Sequence, residues 1–159
     1  MQSTESGFNE LVYLAASQEH LMLSEHLLNQ GHHVIASYLT GVAVEALFLA
    51  YQTRAKAPHD ARHSLWRLAE NGKFWEGMTR PQKEAITAAL TEVMTRWRNN
   101  HRYRSEQALH EFFVKEKLFV VSGNQTTRED VVKFNADLLV ESATRILEVG
   151  VARWSLNLS

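Results

Sequence analysis

Residues 34–53 read VIASYLTGVAVEALFLAYQT, twenty positions carrying a single charge, Glu45. Their apolar side chains cover nearly the whole circumference of a helix. That predicts a central helix over 33–54, buried on almost every side. The run is long enough to span a bilayer. A mid-helix carboxylate is costly in lipid, however, and Ser37, Thr40 and Gln52 add further polar groups. The stretch is therefore expected to be a core helix, with no membrane as partner. Small residues along it, Ser37 and Gly41 four apart and Ala36, Ala43 and Ala50 seven apart, allow another helix to approach closely. Glu45 needs a partner in such a setting, because an unpaired buried charge is very expensive. It is expected either to form a structural ion pair or to orient an Arg or His at a site.

On both sides of this helix the chain alternates helical pattern and punctuation. Phe8, Leu11, Val12, Ala15, Met22 and Leu23 follow helical spacing over 8–29, and Gly31 stands where a left-handed cap falls. A loop is expected over 55–61 around Pro58, a short helix over 63–70, and punctuation by Gly72 and Gly77. Thr79 and Pro81 open the next helix. There Ile86, Ala89, Leu90, Val93, Met94 and Trp97 form one continuous stripe, so the helix should reach at least Trp97. Asn99 and Asn100 compete for backbone hydrogen bonds and predict a cap, kink or break. A helix over 105–118, an extended piece at 119–121 and a turn at 122–125 follow. Thr126 and Thr127 before Glu129 and Asp130 suggest a capping box, opening a last helix to about residue 151.

The expected architecture is all-α, an antiparallel four- to five-helix bundle in a single domain. Composition agrees. A chain of 159 residues that is 45% hydrophobic and 22% charged can bury one core. Two prolines and seven glycines are too few for a turn-rich β-sandwich. Cysteine is absent, which excludes disulfides and Cys-ligated zinc. Residues 1–10 carry Glu5 and Glu10 and no basic residue, unlike a signal peptide, so a cytoplasmic setting is expected.

One short segment carries chemistry. Residues 96–104 read RWRNNHRYR: four arginines in nine positions, with no acid between Glu92 and Glu106. The net charge of the chain is −1, so this +4 is a local concentration and not part of a polycation. Arginine forks hold phosphate oxygens bidentately, and the rings of Trp97, His101 and Tyr103 suit base stacking. The bland alternative is a solvated helix end whose arginines pair with Glu92, Glu106 and Glu111. Arg96, His101 and Tyr103 have the spacing R-x4-H-x-Y. His exchanges protons near neutrality, Arg stabilises the extra charge of a phosphoryl transition state, and RNA supplies its own 2′-hydroxyl nucleophile. An Arg with His five to seven residues on arises about twice by chance in this composition and occurs three times. Adding Tyr two residues after His lowers the expectation to about 0.04, and only Arg96–His101–Tyr103 satisfies it. On an unbroken helix Arg96 and His101 would lie about 140° apart, so their convergence needs the break or a second subunit.

The chain resembles the helical HEPN (higher eukaryotes and prokaryotes nucleotide-binding) superfamily. Three features carry the resemblance: Gly41-Val-Ala-Val-Glu45-Ala-Leu in the buried helix, His63-Ser-Leu65 with Leu68, and Arg96-x4-His101-x-Tyr103. The last resembles the motif of HEPN ribonuclease toxins paired with a nucleotidyltransferase antitoxin. That resemblance implies a metal-independent endoribonuclease without cofactor, the toxin of a toxin–antitoxin or phage-defence system, acting as a homodimer with the motif at its interface. Arg96 and His101 would then be catalytic, and Tyr103 the site the partner modifies. Arg98, Asn99, Arg102 and Arg104 would hold RNA phosphates, with Glu45 supporting an arginine. A catalytically inactive HEPN module binding nucleotide, RNA or the nucleotidyltransferase remains open, as does a structural helical dimer. No phosphate-binding glycine loop occurs, and His20, His26, His32 and His33 lack metal-ligand spacing.

Overall fold

The computed structural model describes residues 9–57, 64–119 and 127–156. Among them are six α-helices: α1 (Glu10–Asn29), α2 (His33–Arg54), α3 (Leu65–Asn71), α4 (Arg80–Arg96), α5 (Glu106–Lys115) and α6 (Arg128–Leu156). A 3-10 turn, Asn99–Tyr103, separates α4 from α5. No strand occurs among the described residues. The all-α bundle expected from the sequence is what forms.

The pairing of helices follows from which ends meet. Tyr51 and Arg54, near the end of α2, hydrogen-bond the carbonyls of Gly150 and Trp154 near the end of α6, while Val34 at its start packs with Val131 and Val132. These two helices therefore run parallel through the centre. Glu25 of α1 meets Thr144, and Arg96 at the end of α4 meets Asn135, so α1 and α4 run against them. As its composition predicts, α2 is the central helix, with Ala36, Ala43, Val44, Leu47, Phe48 and Ala50 fully buried. It is long and apolar enough to cross a membrane, yet most of it is covered by the other helices.

Aromatic rings seal one end of this core. Phe48 and Tyr51 each meet Phe74 edge to face with centroids 4.9 Å apart, and Trp154 meets Tyr51 in the same way at 5.1 Å. Each such buried side chain contributes roughly 1.5–3 kcal/mol, and each ring pair about 1 kcal/mol more. Arg153 donates to the carbonyls of Phe74 and Glu76 and so clamps the 72–77 turn onto α6.

Side-chain caps open several helices, and of those that follow Thr79 was anticipated. Asn9, Ser64 and Ser105 cap α1, α3 and α5, and Thr79 with Gln82 forms a reciprocal capping box on α4. Gly31 closes α1 at φ 84° in a Schellman arrangement, with His32 N–H on the Leu27 carbonyl at 2.9 Å.

The ends differ from expectation in three places. The helix over 105–118 stops at Lys115, because Lys117 adopts φ 57° and Leu118 N–H returns to the Phe113 carbonyl. Lys56 and Lys73 close α2 and α3 in the same way, at φ 55° and 54°. The last helix runs to Leu156 and not 151, because Trp154 continues its buried face. The stripe helix stops at Arg96, one residue short of Trp97. Phe8, the loop around Pro58, His63, residues 120–125 and Thr126 lie outside the described residues.

Two predictions follow from this backbone. Replacing Lys117 by Gly relieves a left-handed L-residue and should raise stability by about 0.5–1 kcal/mol, read from the urea midpoint. A Cβ on Gly41 would lie 2.1 Å from the Trp97 indole, while one on Gly150 would meet a Leu47 methyl at 2.7 Å and the edge of the Phe74 ring at 3.1 Å. Gly41→Ala should therefore cost about 2–3 kcal/mol, and Gly150→Ala distinctly less, since a leucine tip can swing aside.

Candidate functional site

The arginine-rich segment is held by two side chains that point inward. At Trp97 the backbone leaves the helix (φ −107°, ψ 138°), and the indole drops onto α2. Its ring covers Gly41, and its Nε1–H donates to the Tyr38 carbonyl at 3.1 Å. Arg98 is also extended, after which Asn99–Tyr103 winds as the 3-10 turn. The break thus comes two residues before the asparagine pair, and the asparagines open the new turn. The second inward side chain is His101, only 2% exposed and set edge-on to Phe112 at 4.8 Å. Its Nδ1 accepts the Arg98 N–H at 3.2 Å, and its backbone N–H and C=O bond Arg98 and Arg104.

Arg96 is buried as well. Its Nε donates to Asn135 Oδ1 at 2.8 Å, and its guanidinium pairs with Glu92 one turn back. Asn135 in turn donates to the carbonyls of Val131, at 2.9 Å, and Leu118, at 2.5 Å. This network joins α4, the exit of α5 and the first turns of α6. Of the anticipated acid partners for the arginines, Glu92 is realised at Arg96. Asn135 was not anticipated, and no local pattern marks a partner 39 residues away.

The other arginines surround the turn. Arg98 returns to the carbonyls of Met94 and Trp97 and lies 5.6 Å from the Phe112 ring centre. Arg104 approaches the same ring at 5.3 Å. Arg102 lies 4.7 Å over the ring of Tyr103, which is 78% exposed.

Three cavities meet here. One of about 670 Å³ brings Glu45, Asn99 and Arg102 together with Tyr13 and His20. A second, about 350 Å³, lies between the start of α2 and the turn and is lined by His32, His33, Tyr38, His101, Arg102 and Arg104, with Glu106 at its wall. A third, about 450 Å³, holds Arg98, Asn100, Arg104 and Phe112. Neither Arg96 nor Tyr103 lines any of these three. The segment thus gathers its phosphate-binding candidates but turns Arg96 away from them. Among the described residues, no three His, Asp or Glu side chains gather as a metal-ligand set.

His101 is electrically unusual. Burial, then the nearby Arg104 and Arg98 charges, lower its pKa to about 4. The ring is neutral at pH 7. Because Nδ1 is an acceptor, the ring proton sits on Nε2. That nitrogen is buried and has no hydrogen-bond partner among the described residues.

No model of a known protein family, no curated protein and no solved structure matches this chain.

The lowered pKa fixes a pH dependence. Unfolded, His101 binds a proton near pH 6.5; folded, it does so only near pH 4. Protonation therefore favours the unfolded chain, and stability falls as pH drops through that window. The loss is on the order of 3 kcal/mol and levels off below the folded pKa. His101→Asn keeps an acceptor for Arg98 N–H but cannot titrate. Urea unfolding of both proteins at pH 7.5, 5.5 and 4.5 should show the wild type losing stability relative to this variant as pH falls.

Proposed function

We propose that the chain is a HEPN-like module that grips RNA or a nucleotide by its phosphates at the turn formed by residues 98–104. The observation that carries this reading is the gathering of Arg98, Arg102 and Arg104 around a turn pinned by Trp97 and His101, each arginine lining at least one cavity. The backbone that carries them is held in place, so less freedom is lost on meeting an anion than from a mobile loop. The exposed Tyr103 ring adds a stacking face.

Binding without turnover is favoured over catalysis by two features. Arg96 spends its donors on Asn135 and Glu92. His101 offers a donor on Nε2 where a general base would need a lone pair. The ribonuclease reading, with Arg96 and His101 catalytic and no cofactor, draws support from Tyr103, whose exposure leaves it open to a nucleotidyltransferase partner. A homodimer in the cytoplasm belongs to both readings. The exposed Leu11, Val12, Met22 and Leu23 of α1 support self-association.

Fluorescence anisotropy with labelled single-stranded RNA tests this. Affinity should fall steeply with salt, and Arg102→Ala should weaken it several-fold and flatten the salt slope by about 0.7. Salt-independent or absent binding would refute the proposal. The same RNA incubated in EDTA should stay intact. Fragments with 2′,3′-cyclic phosphate ends, lost in His101→Ala, would establish the ribonuclease instead.

A further inference from the structure

We infer that the cavity between the start of α2 and the 3-10 turn is a pocket for one nucleotide, its phosphate seated on the N-terminus of α2 against His101 Nε2. The inference rests on the phosphate-binding reading above, and it adds to the motif histidine and its neighbouring arginines the start of α2, which lies outside the motif.

The first observation is the opening of α2. Its N-cap residue, His32, makes no side-chain capping bond, and no acidic residue stands in the first turn. The leading N–H groups of a helix have no partner within it, and over 22 residues the peptide dipoles add a positive end. An anion is the natural complement of such an end. Asn9, Ser64, Thr79 and Ser105 meet that need on α1, α3, α4 and α5, and none of them has a counterpart on α2.

The second observation is independent. His101 lines this same cavity, is 2% exposed, and carries a buried Nε2–H without an acceptor among the described residues. Burying an unmet donor is costly, and an incoming acceptor recovers that cost. The ring cannot escape by changing tautomer, because Nδ1 is held by Arg98 N–H. No described residue supplies that acceptor, and a ligand in the cavity would.

The remaining walls define which acceptor. Arg102 and Arg104 supply two positive charges beside His101, which select an anion over a neutral carbonyl. Among the described residues Glu106 is the one carboxylate on the lining. It repels a phosphate but accepts hydrogen bonds from sugar hydroxyls, so the phosphate belongs at the α2 and His101 side and a ribose at the Glu106 side. Tyr38 and His32 offer flat faces for a base. A volume near 350 Å³ suits a single nucleotide.

The decisive variant is His32→Asp. Residue 32 is exposed. A carboxylate there caps α2 from within and occupies the anion's place, so it should leave the fold as stable or more stable while closing the pocket. Calorimetric titration with adenosine 5′-monophosphate, adenosine and inorganic phosphate provides the readout, with histidine side-chain NMR locating the site. The monophosphate should bind, adenosine should bind at least tenfold more weakly, and His32→Asp should lose at least tenfold in monophosphate affinity with an unchanged or higher melting temperature. The His101 ring signals should shift on binding. Equal affinity of His32→Asp and wild type, or unmoved His101 signals at saturation, would overturn the pocket. Inorganic phosphate binding as tightly as the monophosphate would overturn the nucleotide assignment. Labelled RNA with a 5′-hydroxyl end, titrated in parallel, separates the two proposals: RNA binding without monophosphate binding overturns the pocket alone, whereas the reverse overturns the RNA reading alone.

Discussion

The Trp97 indole, laid flat on Gly41 and tied by its N–H to the Tyr38 carbonyl, is the contact on which the arginine-rich turn depends. A side chain of that size fits against α2 only where α2 has no Cβ. Once the ring is seated, the backbone cannot continue as helix and must leave in extended form. Everything from Arg98 to Arg104 is then delivered to the edge of the bundle instead of along the α4 axis. The positive charge of the segment is concentrated by sequence, but its placement is set by packing.

Below that anchor, two buried polar arrangements divide the motif. Arg96 belongs to a closed network with Glu92 and Asn135, in which donors and acceptors are matched. His101 belongs to an open one, matched on Nδ1 and unmatched on Nε2. Closed networks stiffen a fold, and open ones hold a place for something else. Two residues five apart in sequence thus have opposite electrostatic characters.

Much of the fold was legible because its signals are local. The all-round apolar character of 34–53, Gly31, and the Thr79–Gln82 box each reported a feature that formed. The end of α2 at Arg54 was legible, but the end of α5 was not, because Lys117 adopts the left-handed conformation with no compositional mark. At the site, the sequence marked residues 96–104 but not their inward and outward faces, since a 3-10 turn has no apolar periodicity to read. Asn135 and the start of α2 come from distant parts of the chain and were invisible to a spacing rule. One clue was available: His32 stands where Ser, Thr, Asp or Asn would cap a helix.

The parallel pairing of α2 with α6 also sets an order of events during synthesis. The Tyr51 hydroxyl bonds the Gly150 carbonyl across 99 residues of chain. At ribosomal speeds the most apolar helix therefore waits about 5–20 s for the helix that covers it. Through that interval α1 is its only shelter among the long helices, joined to it by a three-residue turn. The nascent chain is a sticky hairpin until α6 emerges.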